Sequence, residues 1–192
     1  MKKRNDEGKK LSDMTLEELW QLFPIILTEH QICWEEWYYE ELELLKNAIP
    51  QITRISHIGS TAIRSIWAKP IIDILVEVPR ECDISDYKDS ILKCGYICMS
   101  QSENRISFNK GYTENGFAEK VFHLHLRYAG DHDELYFRDY LVEHDHVAEE
   151  YEKMKLTLWK EYEHNRDGYT NAKAEFVKKY TEKAKQLYGN KY

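Results

Sequence analysis

One acidic residue interrupts a segment that otherwise has the composition of a buried β-strand. The run at 71–78, IIDILVEV, is almost continuously apolar, which is typical of a central strand covered on both faces, and Asp73 lies near its start. An ionised carboxylate in such a strand is costly unless it is paired with a positive group or binds a cation. Asp73 is therefore the first candidate for chemistry in this chain.

A glycine turn precedes this strand and could bind phosphate. Gly59 and Ser60 end an earlier strand, and a turn without a side chain lets backbone N–H groups approach a phosphate closely. A short helix predicted to begin at Ser60 or Thr61 would add its partly positive N-terminus. Most Gly-Ser pairs are ordinary turns. If the two strands pair, however, Asp73 lies beside this one and could hold a divalent cation that bridges to phosphates.

Two histidines form a second candidate group. His123 and His125 are two residues apart in VFHLHLR, so in a strand their side chains point to the same face. With Asp73 they would form a ligand set of two nitrogens and one oxygen, which suits Zn²⁺ or Mn²⁺ better than Mg²⁺. The alternative is that one histidine is hydrogen-bonded in the interior while the other lines a cleft.

Several cationic side chains could neutralise a phosphate. Lys69 directly precedes Pro70 at the start of the Asp73 strand. Arg127 follows His125 by two residues, so in a strand its side chain points to the same face as the two histidines. Lys173, on the last predicted helix, is a further candidate, although most helix lysines are simply solvated. The chain has neither a G-x-S-x-G nucleophile elbow nor a Walker motif, which argues against serine hydrolases of that type and P-loop kinases.

The elements that must position these residues alternate between helix and strand and then become helical. A capping box at Thr15–Glu18 predicts a first helix, and apolar spacing predicts an amphipathic helix over 33–48. Further strands and a helix at 84–94 follow, helices prevail beyond Asp133, and RDGYTN is predicted to be a loop. The fold class is α+β: a small mixed sheet with flanking helices and a helical C-terminal third. We expect residues 1–14 to be a flexible tail and residues 15–192 to be a single domain.

Composition limits the classes of partner. The formal net charge is −7, so broad binding to nucleic acid is not expected, whereas a small anionic ligand in a local basic pocket is compatible. The four cysteines form no CxxC pair, and the sequence has neither a secretory signal nor an apolar run near 18 residues. These features predict a cytoplasmic protein with buried, reduced thiols and no membrane association.

Five blocks of the sequence resemble one known family in composition and order. They are PIILTEHQICWEEWYYEE, HIGSTAIRSIWAKPIIDILVEV, FHLHLRYAG, FRDYLVEHDHVAEEYEKMK and YTNAKAEFVKKY. Together they cover roughly residues 20–185 and resemble the GrpB family, whose members carry a nucleotidyltransferase-superfamily fold. The superfamily signature is a hydrophobic residue followed by Gly and then Gly or Ser, and later Asp-hydrophobic-Asp/Glu. Ile58-Gly59-Ser60 and Asp73 fit it, whereas Leu75 stands at the second acidic position.

The resemblance implies a nucleotide-binding function. Asp73 would be the principal catalytic carboxylate, and Glu77, about 6.6 Å further along the same strand face, would partly substitute for the missing one. His123 or His125 would replace the third acidic residue. The implied ligand is a nucleoside triphosphate or another phosphorylated small molecule, bound with Mg²⁺, Mn²⁺ or Zn²⁺, and the implied reaction is nucleotidyl transfer. The alternatives are a non-catalytic nucleotide or small-molecule binding module and a metal-assisted phosphohydrolase that uses the histidine pair. The sequence predicts neither the acceptor nor the oligomeric state.

Overall fold

A computed structural model describes residues 9–192 and contains, within them, a five-stranded sheet and seven α-helices. The strands are β1 (Arg54–Ile58), β2 (Ile72–Val78), β3 (Ile97–Gln101), β4 (Arg105–Thr113) and β5 (Gly116–Tyr128). The helices are α1 (Leu16–Leu22), α2 (Cys33–Ala48), α3 (Lys88–Lys93), α4 (Asp133–Glu143), α5 (Asp145–Tyr162), α6 (Arg166–Ala172) and α7 (Ala174–Tyr188).

The sheet is mixed, with strand order β1-β2-β5-β4-β3. Strand β2 pairs antiparallel with β1 and parallel with β5, and β4 joins β5 to β3 through antiparallel pairs. Helices pack on this sheet and the chain beyond residue 133 is almost entirely helical. The predicted α+β fold, with a small mixed sheet and a helical C-terminal third, is therefore confirmed.

Strand β2 divides its side chains between two different environments. Ile72, Ile74, Val76 and Val78 enter the main hydrophobic core together with residues of α2 and α3. The alternate residues Asp73, Leu75 and Glu77 face the other side of the sheet, as a period of two requires. On that side Leu75 packs with Ile58 and with Leu135 of α4. The two charged residues of β2 are thus separated by an apolar contact.

Several local predictions are confirmed and others are wrong. The capping box is present, because Thr15 Oγ1 accepts from the N–H of Glu18 and the Glu18 carboxylate accepts from the N–H of Thr15. The helix expected from Ser60 is only a single 3-10 turn, Ser60–Ala62. The expected loop RDGYTN is instead α6, because Asn165 caps it by accepting from the N–H of Gly168.

Part of the predicted N-terminal tail forms a 3-10 turn, and the cysteines are less buried than predicted. Residues 1–8 of the predicted tail lie outside the described residues, while Leu11–Asp13 form a 3-10 turn. All four cysteines are free, as predicted, but each is half-buried rather than buried, because they lie at the edge of the main core.

Among the helices of residues 9–192, none has the length and hydropathy needed to cross a bilayer.

Candidate functional site

A cavity of about 190 Å³ lies where the Gly59 turn, the start of β2 and the helices α5 to α7 meet. We call it the lysine pocket. Its lining residues are Leu27, Gly59, Ser60, Thr61, Lys69, Ile71, Asp73, His123, Tyr151, Lys155, Tyr169 and Lys173. Most of the residues predicted to bind phosphate or metal are therefore brought together in one place, although the predictions came from widely separated parts of the chain.

Gly59 makes room for the carboxylate of Asp73. Ile58 is the register partner of Asp73, so the turn that follows β1 ends directly beside the carboxylate. Gly59 has φ 71° and ψ −173°, a conformation that is almost restricted to glycine. A Cβ atom at this position would lie 2.3 Å from Asp73 Oδ2. The turn and the carboxylate therefore fit each other only because residue 59 lacks a side chain.

Both predicted histidines face the same carboxylate oxygen. Parallel pairing of β2 with β5 sets Asp73 opposite His123. The distance to Asp73 Oδ1 is 3.2 Å from His123 Nδ1 and 3.6 Å from His125 Nε2. Burial opposes ionisation of Asp73, but its interactions with the two histidines lower its pKa well below the usual range. Within residues 9–192, no group of three or more His, Cys, Asp or Glu side chains is arranged to hold a metal ion. The three side chains converge around one carboxylate oxygen of Asp73.

The chain of contacts continues from His123 to α6. His123 Nε2 lies 2.7 Å from the hydroxyl of Tyr112, and Arg166 donates to that hydroxyl oxygen over 2.9 Å. Because Arg166 can only donate hydrogen bonds, the Tyr112 hydroxyl is free to donate its own proton to His123 Nε2. The neutral ring then carries its proton on Nδ1, which faces Asp73. Burial lowers the pKa of His123, which favours this neutral ring. Both ring nitrogens of His123 thus have partners.

Three lysines, all within the described part of the chain, give the pocket its positive charge. Burial is the main cause that lowers the pKa of Lys69 and of Lys155 to about 7 and the pKa of Lys173 to about 8, and the nearby lysine charges lower the first two further. Asp73 is the one carboxylate among the described lining residues. The ammonium groups of Lys69 and Lys173 lie 5.5 Å and 4.3 Å from the ring centre of Tyr169. Such a cluster favours an anion.

Lys155 is a site residue that the sequence analysis missed. Its side chain is buried on α5, and its ammonium group donates to Ser60 Oγ over 3.2 Å and to the carbonyl of Trp67. It therefore ties α5 to the turn that carries Ser60. The available signal was its position four residues after Tyr151, on the apolar stripe of the same helix, where a lysine is unusual.

The hydroxyl of Thr61 is used within the protein. Thr61 Oγ1 donates to the carbonyl of Ile71 over 3.1 Å and lies 3.0 Å from His57 Nε2, which must then carry the proton that it donates. Burial lowers the pKa of His57 to about 4, so the ring is neutral. Thr61 lines the pocket, but its hydroxyl supports the turn and the start of the β2 segment rather than facing a ligand.

Two predicted site residues lie elsewhere. Glu77 is 1% exposed, and its Oε1 lies 2.8 Å from His132 Nδ1 and accepts from the N–H of Gly130. Arg127 is the register partner of Glu77 and lies 3.6 Å from Asp131. Both point to the same face of the sheet as the site residues, but they lie four positions further along their strands than Asp73 and His123, and the buried Leu75 lies between Glu77 and Asp73. The structure does not bring either of them to the lysine pocket.

Comparison with known proteins identifies relatives of the chain. The family model described as GrpB protein matches residues 24–183. The glutamate-rich protein GrpB of Alkalihalophilus pseudofirmus is 38% identical over 160 residues, which cover 80% of this chain and 91% of that protein. The UPF0157 protein YqkA of Bacillus subtilis is 35% identical over 80% of this chain, which spans only 45% of that protein's length.

Solved structures agree with the sequence comparison. The crystal structure of the conserved protein GrpB from Enterococcus faecalis matches with a TM-score of 0.73 and 29% identity, over 85% of this chain and 99% of that chain. A structure of Cid1 in complex with its short product ApU matches with a TM-score of 0.48 and 13% identity, over 70% of this chain and 42% of that chain, too low a similarity to bear on function. The predicted resemblance is therefore confirmed: the chain belongs to the GrpB family.

Proposed function

We propose that the lysine pocket binds the phosphate groups of a nucleotide, together with one divalent cation at Asp73. The observation that supports this proposal is the convergence of Lys69, Lys155 and Lys173 around a single carboxylate in a cavity. Lys155 is buried and Lys69 and Lys173 are half-buried, and ammonium groups in such places are costly without a counter-charge, as their lowered pKa values indicate. A bound phosphate would supply that charge and raise the pKa values again.

The donor atoms fit a cation that shares its ligands with phosphate. Mg²⁺ is commonly bound by one or two carboxylates plus substrate phosphates, and Mn²⁺ prefers similar oxygen ligands. Asp73 supplies one carboxylate at the pocket wall, beside the Gly59 turn. Zn²⁺ fits less well, because both ring nitrogens of His123 already have hydrogen-bond partners. Such a cation would neutralise part of the phosphate charge and hold the phosphates against Asp73.

Two forms of this function remain distinct. In nucleotidyl transfer, an acceptor hydroxyl would form a bond to the α-phosphorus, pyrophosphate would leave, and the acceptor proton would pass to solvent water. A non-catalytic binding module is the second candidate. It is favoured by the burial of Leu75 at the second acidic position and by the contacts that hold Glu77 away from the pocket. Two-metal chemistry normally needs carboxylates that bridge both ions.

Calorimetric titration of the whole chain with ATP and Mn²⁺ tests the proposal. Asp73→Asn should reduce ATP affinity to the value measured for the wild type with EDTA. Lys173→Met should weaken binding about 10- to 100-fold, the usual value of a charge-assisted hydrogen bond. Lys178→Met changes an exposed lysine on α7 and should have no effect. Wild-type affinity in both site variants would refute the proposal.

Two further measurements refine this test. At pH 8, ATP binding should take up protons, because a phosphate raises the pKa of amines that otherwise titrate at about 7 or 8. Titrations in two buffers with different ionisation enthalpies measure this uptake. Incubation with labelled ATP and small-molecule, RNA and protein acceptors then separates the two candidates, since Asp73-dependent label transfer excludes a purely non-catalytic module.

A further inference from the structure

A second cavity, of about 210 Å³, adjoins the lysine pocket. Its walls are mainly apolar, and we call it the apolar pocket. The lining residues are Pro24, Ile26, Lys69, Pro70, Ile71, Phe117, Ala118, Glu119, Val121 and Arg166. Lys69 and Ile71 line both cavities, so only the segment around Pro70 separates them. Each cavity alone is below the about 300–1,000 Å³ typical of small-molecule sites, so each has room for only one part of a ligand.

Charge fixes which part of a ligand each cavity accepts. The lysine pocket is lined by three lysines, whose protonated amines are stabilised by a bound phosphate, and therefore favours phosphate. The apolar pocket has Glu119 at its wall, which repels phosphate and can accept hydrogen bonds from an amino group. The prolines and Phe117 offer flat apolar surfaces of the kind on which a planar ring packs. A molecule with a phosphate end and a planar apolar end therefore matches both cavities in one orientation only.

Arg166 connects the apolar pocket to the reactive carboxylate. It lines the apolar pocket, and its guanidinium donates to the Tyr112 hydroxyl that contacts His123. His123 in turn contacts Asp73. A ligand that displaces or orders Arg166 would therefore act on the hydrogen bonds of the phosphate site. The Arg166 guanidinium also lies 5.5 Å from the ring centre of Tyr112, which holds it at this boundary.

We propose that the apolar pocket binds the base of the nucleotide whose phosphates occupy the lysine pocket, with Lys69 and Arg166 at the boundary between the two. This inference rests on the proposed function. It adds a prediction that phosphate binding alone does not make: the protein should distinguish a nucleotide from an inorganic polyphosphate of equal charge. Burial of one base should strengthen binding about 10- to 100-fold.

Parallel titrations with ATP and with inorganic tripolyphosphate, both with Mn²⁺, test this inference. Ala118→Trp adds bulk at an exposed wall position, and Ile26→Ser removes apolar surface from a side chain that is 45% exposed, so neither change should unfold the chain. Both variants should lose most of the preference for ATP and keep wild-type affinity for tripolyphosphate. Leu187→Trp, at a residue 60% exposed on α7, is the matched control.

The outcomes separate this inference from the proposed function. Equal affinity of the wild type for ATP and tripolyphosphate overturns the base site and leaves phosphate binding intact. The base site is also overturned if Ala118→Trp and Ile26→Ser keep the wild-type preference for ATP. It is overturned as well if these variants lose affinity for ATP and for tripolyphosphate by the same factor. If the wild type binds neither ATP nor tripolyphosphate, the proposed function fails and the base site fails with it.

Discussion

Substitution of Gly59 by alanine should destabilise the chain through two separable effects. The first is backbone strain, since φ 71° with ψ −173° is a region where residues other than glycine lose about 1–3 kcal/mol. The second is steric, because the new Cβ would lie 2.3 Å from Asp73 Oδ2. Overpacking of this kind typically costs about 1–3 kcal/mol. We therefore expect Gly59→Ala to lower the free energy of unfolding by about 2–6 kcal/mol.

Urea denaturation monitored by tryptophan fluorescence measures this loss, and Gly95→Ala is a control in which the new Cβ causes no steric clash. Gly95 also has a positive φ, 89°, but a Cβ there would lie 3.7 Å from Lys110 Cε, an ordinary contact. The control should therefore lose only the backbone contribution. In an Asp73→Ala background the Oδ2 atom is gone, so Gly59→Ala should become less destabilising by at least about 1 kcal/mol.

Two results would refute this reasoning about the turn. One is a Gly59→Ala variant that loses no more stability than Gly95→Ala, which would mean that the carboxylate moves away without cost. The other is additivity of Gly59→Ala and Asp73→Ala within about 0.5 kcal/mol, as expected of independent sites. Either result would separate Gly59 from Asp73 and would remove the physical reason for glycine at the pocket wall.

Two further predictions concern charged residues. Burial lowers the pKa of Lys155 from its ordinary value of 10.5 to about 7, so between these values the unfolded chain binds more protons and stability rises with pH. In Lys155→Met the free energy of unfolding, measured by urea denaturation, should rise less between pH 7 and 9.5 than in the wild type. An unchanged dependence of this free energy on pH contradicts the burial of the Lys155 amine. Glu77→Gln should cost about 1–3 kcal/mol of stability, because the contacts with His132 and Arg54 weaken, yet leave ATP affinity unchanged. A loss of ATP affinity in the folded variant would place Glu77 in the site after all.

The parts of the site that follow local rules could be predicted from the sequence. The alternation of side chains along a strand correctly predicted that His123 and His125 share a face. A glycine turn between two apolar strands correctly predicted that Asp73 lies beside Gly59 once the strands pair. Both inferences use rules that hold in any sheet: side chains alternate between the two faces along a strand, and neighbouring strands pair residue by residue. They required no knowledge of what covers the sheet.

The rest depends on how the helices cover the sheet, which no local pattern contains. Parity placed Glu77 on the face of Asp73, but α4 lays Leu135 over Leu75 and separates the two carboxylates into different environments. Conversely, a lysine on an apolar helix stripe can extend its ammonium group to solvent, so the position of Lys155 on the stripe was only a weak signal. Its place in the pocket follows from the contact of its ammonium group with Ser60. The positive pocket of an acidic protein is assembled from residues that lie more than a hundred positions apart, such as Lys69 and Lys173, and its charge is therefore a property of the tertiary structure rather than of any segment.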